Sequence, residues 1–220
     1  MRYRSIIALC LLLVSGAAAA QDKTVNGIPP DVYYLMPSFG KGMVYFSGQA
    51  PAQGELNICA LDNSLRFKDK DGKELSAAST DNVVKVLIDT VWFIRHNEAF
   101  LRQYPLTHDM GVAVMREVRI EWDTHEGAYG TKSKTSSIRE YGTVYTDGVA
   151  HTLERTRDYP YNVSETIYLY KGNEIYVLAK KNFRRLFPEK KAEIDGYFKA
   201  GNPLPDTVEG ALDTMRLFMD

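Results

Sequence analysis

Charged side chains two apart, Glu117, Arg119 and Glu121, form the first group in this chain able to do chemistry, and Lys180, Lys181, Arg184 and Arg185 form the second. Alternate residues of an extended chain share a face, so the first group, with Met115, lines one side of a strand and is a candidate ligand-binding surface. Two carboxylates could also act as acid and base in glycoside cleavage, but that chemistry depends on a separation that only a fold supplies. The second group brings four cations together, a candidate site for an anion such as a phosphate or lipopolysaccharide. Glu189 and Glu193 follow closely and offset that field.

Other constellations fail on spacing. No Gly-x-Ser-x-Gly turn presents a serine nucleophile. Cys59 has no basic neighbour in sequence to lower its pKa, so a small strand residue is its expected role. His96, His108, His125 and Glu126, with Asp109 and Asp123, show neither His-Glu-x-x-His nor a paired-histidine spacing, and no metal site is expected. Asp69-Lys70-Asp71-Gly72 evokes a calcium loop, yet Phe67 stands where the first ligand belongs, and the segment reads as a hairpin turn. No catalytic residue and no cofactor is assigned. An enzyme reading, a hydrolase of an envelope or glycan substrate, would have to assemble Glu117, Glu121, His125 or Glu126 in three dimensions. The 14 tyrosines offer another kind of surface: Tyr33-Tyr34, Tyr159-Pro160-Tyr161 and Tyr168-Leu169-Tyr170 could form a platform for sugars or peptides, or pack half-buried on strands.

The opening residues bear on the compartment. Arg2 and Arg4 precede an apolar run from Ile6 to Val14 and small residues from Ser15 to Ala20, the grammar of a cleavable secretory signal over residues 1–20. The run is too short to span a bilayer. Cys10 lies inside it, away from the cleavage point, which argues against a lipid anchor. Once cleaved, the chain keeps only Cys59 and can form no internal disulfide. It would carry 25 basic and 28 acidic side chains, a balance that argues against a nucleic-acid partner. No second hydrophobic span follows, so no integral helical span is expected. The expected address is secreted, in the periplasm or at the outer membrane, with an envelope protein or a glycan as partner.

The elements that must position these residues change period along the chain. Residues 21–31 read as a polar tether ending in Pro29-Pro30. A single globular domain, 32–220, follows, β-rich over 32–179 and helical over 180–220. Strands are expected at Met43 to Ser47, and at Leu56, Ile58 and Ala60, which alternate with Glu55, Asn57 and Cys59 and so place Cys59 on the more polar face. Leu65 and Phe67 lead into the Asp71-Gly72 turn. Val83 to Ile88 and Val91 to Ile94 are parted only by Asp89-Thr90 and read as neighbours in one sheet. Val112, Val114, Val118, Ile120 and Trp122 share a face that only Arg116 interrupts. Asp123 to Tyr141 reads as a long exposed loop. Hairpins follow around Asp147-Gly148, and from Thr166 to Tyr170 and Glu174 to Ala179 around Lys171-Gly172-Asn173. Phe183, Leu186, Phe187, Ile194, Tyr197 and Phe198 then take a helical spacing, with Pro188 starting a helix that Gly201 and Pro203 stop. Asp206 and Glu209 make a capping pair for a last helix bearing Val208, Leu212, Met215 and Phe218, either packed on the sheet or free to engage a partner. The expected class is α+β, mainly β: an antiparallel or open barrel-like sheet followed by two or three C-terminal helices.

This order resembles a family of uncharacterised secreted proteins from Bacteroidota-type bacteria. The resemblance rests on Lys41-Gly42-Met43-Val44-Tyr45-Phe46, on the paired apolar strands of Val83 to Ile94, and above all on the segment Tyr176 to Ile194. It implies an exported location and a sheet-then-helix layout, and no activity. The tail from Gly201 onward departs from it. Asp89-Thr90-Val91, Asp206-Thr207-Val208 and Asp213-Thr214-Met215 also resemble the O-glycosylation motif of exported proteins in such bacteria.

Overall fold

A computed structural model describes residues 27–121, 143–146, 149–152 and 160–219. Short β-branched and aromatic runs separated by turn residues produce an antiparallel meander. Its strands are β1 (Gly40–Phe46), β2 (Ala52–Cys59), β3 (Ser64–Lys68), β4 (Glu74–Ser76), β5 (Val83–Ile88), β6 (Val91–His96), β7 (Ala99–Pro105) and β8 (Met110–Ile120). A separate hairpin, β9 (Thr143–Thr146) and β10 (Val149–Thr152), precedes β11 (Tyr161–Lys171) and β12 (Glu174–Val177). Ten strands form one open antiparallel sheet in the order β12-β11-β8-β7-β6-β5-β1-β2-β3-β4. The tight turns carry the residues that tolerate a left-handed backbone: Asn63, Asp89 and Asn97 have φ between 52° and 54°.

The sheet has an inner and an outer face. Val44, Leu56, Ile58, Leu65, Val86, Ile88, Phe93 and Phe100 point inward and make the main core. The sheet curls so far that the Val118 amide of β8 donates to the Ala60 carbonyl just past β2 at 3.3 Å. Ile28, Tyr33, Cys59, Ala60 and Val118 fill that junction. The far end of the sheet packs Met110, Val112 and Leu169 against three helices, α2 (Lys180–Leu186), α3 (Lys191–Lys199) and α4 (Val208–Leu217). Phe183, Leu186, Phe187, Ile194 and Phe198 dock the first two, and a 3-10 turn at Pro188–Lys190 joins them. Ala211, Met215 and Phe218 bury the inner side of α4 in the same cluster, so the last helix is packed.

Several local expectations change. The end of the tether belongs to the core: Ile28 is wholly buried and Pro30–Tyr33 form a short helix, α1, while residues 21–26 lie outside the described set. Cys59 is buried rather than on a polar face, because the segment at Tyr34 pairs beside it and it packs in the junction with Ile28, Tyr33 and Val118. Strand β7 has no counterpart in the expectations above. Its first three residues, Ala99, Phe100 and Leu101, are all buried, which hides the two-residue alternation. Strand β11 is longer than Thr166 to Tyr170, zipped along β8 from Tyr161↔Ile120 to Lys171↔Met110. The cap of α4 is Thr207, whose hydroxyl accepts from the Gly210 amide at 3.1 Å, in place of Asp206 with Glu209. The loop 123–141 and the leader 1–20 lie outside the described residues.

Candidate functional site

The groups singled out from sequence find partners within the chain. Glu117 and Arg119 form an ion pair at 2.9 Å on the exposed side of β8. Glu121 is exposed just past the strand, where its amide donates to Pro160 O at 2.8 Å. Arg116, the break in the apolar stripe, pairs across the ladder with Glu165 at 2.9 Å. On α2 the four cations are divided. Lys180 lies over the Phe198 ring at 5.1 Å, Arg184 binds Asp195 at 2.5 Å, and Arg185 lies over Tyr176 at 5.4 Å, while Lys181 is exposed. His96 sits half-buried, edge-on to Tyr168, and His108 is exposed; His125 and Glu126 lie outside the described residues. Among the described residues no three of His, Cys, Asp or Glu gather as metal ligands. The Asp69 carboxylate accepts from the Asp71 and Lys73 amides at 3.0 and 2.8 Å, the bonds of a turn. Of the three threonine motifs, Thr90 is exposed at the β5–β6 turn, Thr207 is the helix cap, and Thr214 is buried and donates to Gly210 O.

Among the described residues a largely buried network of titratable groups lies at the β2–β3 hairpin. Arg66 donates to Ser64 Oγ at 2.6 Å, to Asp62 at 2.5 Å and to Glu74 at 3.4 Å, and the Tyr34 hydroxyl donates to Glu74 at 2.5 Å. Burial pushes the Tyr34 and Tyr33 hydroxyls far above their ordinary range, with Glu74 adding to both. Burial likewise pushes the Cys59 thiol up to about 12, aided by the nearby Asp62 charge. A nucleophile needs the opposite shift. This network fastens the segment before β1 onto the hairpin.

Among the described residues the tyrosine pairs do not gather into one platform. Tyr33 and Tyr170 are buried, Tyr34 serves Glu74, Tyr168 packs on His96, and Tyr161 is exposed at the start of β11, while Tyr159 lies outside the described residues. An aromatic surface does exist elsewhere, on the outer face of β1, β5 and β6. Tyr45 and Trp92 stand with ring centroids 5.6 Å apart, and the Lys85 ammonium lies 4.6 Å from the Trp92 ring and 5.1 Å from the Tyr45 ring. Tyr45 opposes Lys85 in the ladder, and Leu87 opposes both Trp92 and Met43. Register shifts between Tyr45 and Phe46, so that Val84 has no opposite residue and is 50% exposed. Such a bulge bends a strand and re-aims the side chain beside it.

A shallow open groove of about 540 Å3 continues from this surface, lined by Lys41, Met43, Gln53, Glu55 and Leu87. From Trp92 through Leu87 and Met43 to Gln53 the row crosses four strands, or about 14 Å at the usual interstrand spacing. Sequence reasoning missed this site because it sought adjacent tyrosines. The available signal was parity: with Val44 and Phe93 inside, Tyr45 and Trp92 must face out. The chain matches no protein-family model, no curated protein and no solved structure.

Proposed function

We propose that this is an exported, non-catalytic binding protein of the periplasm or cell envelope, which holds a glycan or protein partner on the outer face of its sheet. The observation that carries the reading is the Tyr45–Lys85–Trp92 surface. Two large rings and a lysine are held half-exposed on rigid strands, beside a bulge and above a groove. Aromatic rings on a firm scaffold give much contact area at low entropic cost, which suits recognition. The charged pair Glu117–Arg119 is satisfied locally and adds a polar surface rather than a reactive one. The exported address rests on the signal-like residues 1–20.

Co-sedimentation with isolated envelope material tests the reading, using a chain that begins at Gln21 and its Trp92→Ala variant. Loss of the ring is expected to weaken retention about tenfold, the effect of one good aromatic contact, with Tm lowered by only a few degrees. Equal retention of both proteins would overturn it. N-terminal sequencing of the protein recovered from an exporting host is expected to begin at Gln21, and a retained leader would remove the support for the address.

A further inference from the structure

We infer that the occupant of this face is an acidic saccharide chain, a deepening that rests on the binding reading above. The argument begins with the rings. The C–H face of a pyranose is apolar and faintly positive, and it packs on the negative face of an aromatic ring by the same electrostatics that bring cations there. The row from Trp92 to the groove, about 14 Å long, gives room for consecutive sugar rings, with Gln53 and Glu55 on the groove wall to take hydroxyls.

Charge then selects the kind of sugar. Lys85 is held between two rings with no ion-pair partner among the described residues, and Lys41 on the groove wall stands opposite Glu55 in the ladder. The one acid lining the groove, Glu55, is drawn toward Lys68 at 3.7 Å. With Glu55 set between Lys41 and Lys68, the three lysines Lys41, Lys68 and Lys85 along the aromatic, apolar strip outnumber its one acid and complement a chain bearing carboxylates at intervals. A neutral glycan would leave that excess of positive charge unanswered, and a protein segment would gain little from the open, shallow groove.

Trigalacturonate is the probe, with cellotriose as its neutral counterpart and poly-glutamate as an acidic chain without sugar rings, each titrated against the chain from Gln21 at low salt. Trigalacturonate is expected to bind, to weaken about tenfold in Trp92→Ala, and to weaken about three- to fivefold in Lys85→Gln. The binding should fall as salt is raised. Equal binding of cellotriose, or binding that ignores Lys85→Gln, would overturn the acidic assignment while leaving the binding reading intact, provided Trp92→Ala still matters. Preferential binding of poly-glutamate would overturn the saccharide assignment in favour of an acidic peptide. No binding of trigalacturonate, with envelope co-sedimentation still dependent on Trp92, would sink the inference alone. Indifference of both assays to Trp92→Ala would sink both.

Discussion

Replacing Arg66 by Met probes the buried network most directly. The Arg66 side chain is 6% exposed and binds Asp62, itself 14% exposed, and Glu74, which is 37% exposed. Breaking a buried pair by removing one partner costs about 3–5 kcal/mol. Glu74 is relieved by solvent, which places the variant near the lower end, about 3 kcal/mol. For a domain of this size that corresponds to a fall of about 6–12 °C in Tm. The acid dependence is more diagnostic. Burial alone would raise the Asp62 pKa, but the Arg66 charge and hydrogen bonds from Ser64 and Cys59 outweigh it and hold the carboxyl below its ordinary value. A carboxyl depressed in the folded state stabilises the fold above the unfolded pKa of about 3.9, and this contribution is lost as pH falls through the folded value. Without Arg66, burial dominates and the folded pKa rises, so the variant is penalised most at neutral pH. Urea unfolding at pH 7 and below pH 4 should therefore show a wide gap between wild type and variant that narrows in acid. Adding Asp62→Asn should recover part of the loss at pH 7. A gap under about 1 kcal/mol, the scale of an exposed pair, or one that does not narrow in acid, would refute the reasoning.

Three further outcomes test other parts of the fold. Gly42→Ala places a Cβ 2.5 Å from the Leu87 carbonyl oxygen and 2.7 Å from Leu56 Cδ1, and because one of those atoms is backbone the cost should be about 1–3 kcal/mol; a midpoint within error of wild type would contradict the close approach of β1 to β5. Cys59, its thiol pushed up to about 12 by burial and the Asp62 charge, is about one part in 10^4 ionised at pH 8. Iodoacetamide should label it only on unfolding, and comparable rates in native and urea-unfolded protein would count against its burial. Ending the chain at Gly201 removes Ala211, Met215 and Phe218 from the helical core. Three such side chains are worth about 5 kcal/mol, so Tm should drop by about 10 °C or more, and an unchanged midpoint would show that α4 is not packed.

What could be read from sequence follows from how each signal arises. The turns Asp71-Gly72, Lys171-Gly172-Asn173 and Asp89-Thr90 were legible because a left-handed backbone restricts residue type, and Gly72 and Gly172 do adopt φ of 76° and 58°. The change to helical spacing at Phe183 was legible because α2, α3 and α4 each bury one stripe. Strand β7 was not, since Ala99, Phe100 and Leu101 are buried on both faces and no alternation survives. Asn57 misled in the same way. It reads as the polar side of β2, yet it is wholly buried, because its side-chain amide donates to Met36 O at 3.0 Å while its oxygen accepts from the Met36 and Ile58 amides. Such long-range satisfaction of a polar group leaves no local trace. Of the candidate surface, Glu117 and Arg119 do lie on one side of β8 while Glu121 falls just past its end, and the Glu117–Arg119 ion pair depends on side-chain directions that a sequence does not carry.

The distinction that separates the candidate surfaces is whether a group's requirements are met inside its own chain. Arg66 is surrounded by acceptors, and its burial is explained by the hairpin it fastens. The cations of α2 are mostly spent in the same manner: Arg184 completes Asp195, while Lys180 and Arg185 lie over rings of neighbouring elements. Trp92 and Tyr45 are different. An aromatic side chain fully withdrawn from water contributes about 2–3 kcal/mol, and both rings are only half-buried, so folding forgoes a large part of that stabilisation. Lys85 recovers some of it, about 0.5–1 kcal/mol for an exposed cation over a ring, but its own charge is left without a counter-ion among the described residues. Half-exposed rings on a strand thus keep only part of the stabilisation that full burial would give them. A second molecule that covers both rings and neutralises the lysine would supply what folding leaves unmet, which makes this face, rather than the basic helix, the place to look for the partner.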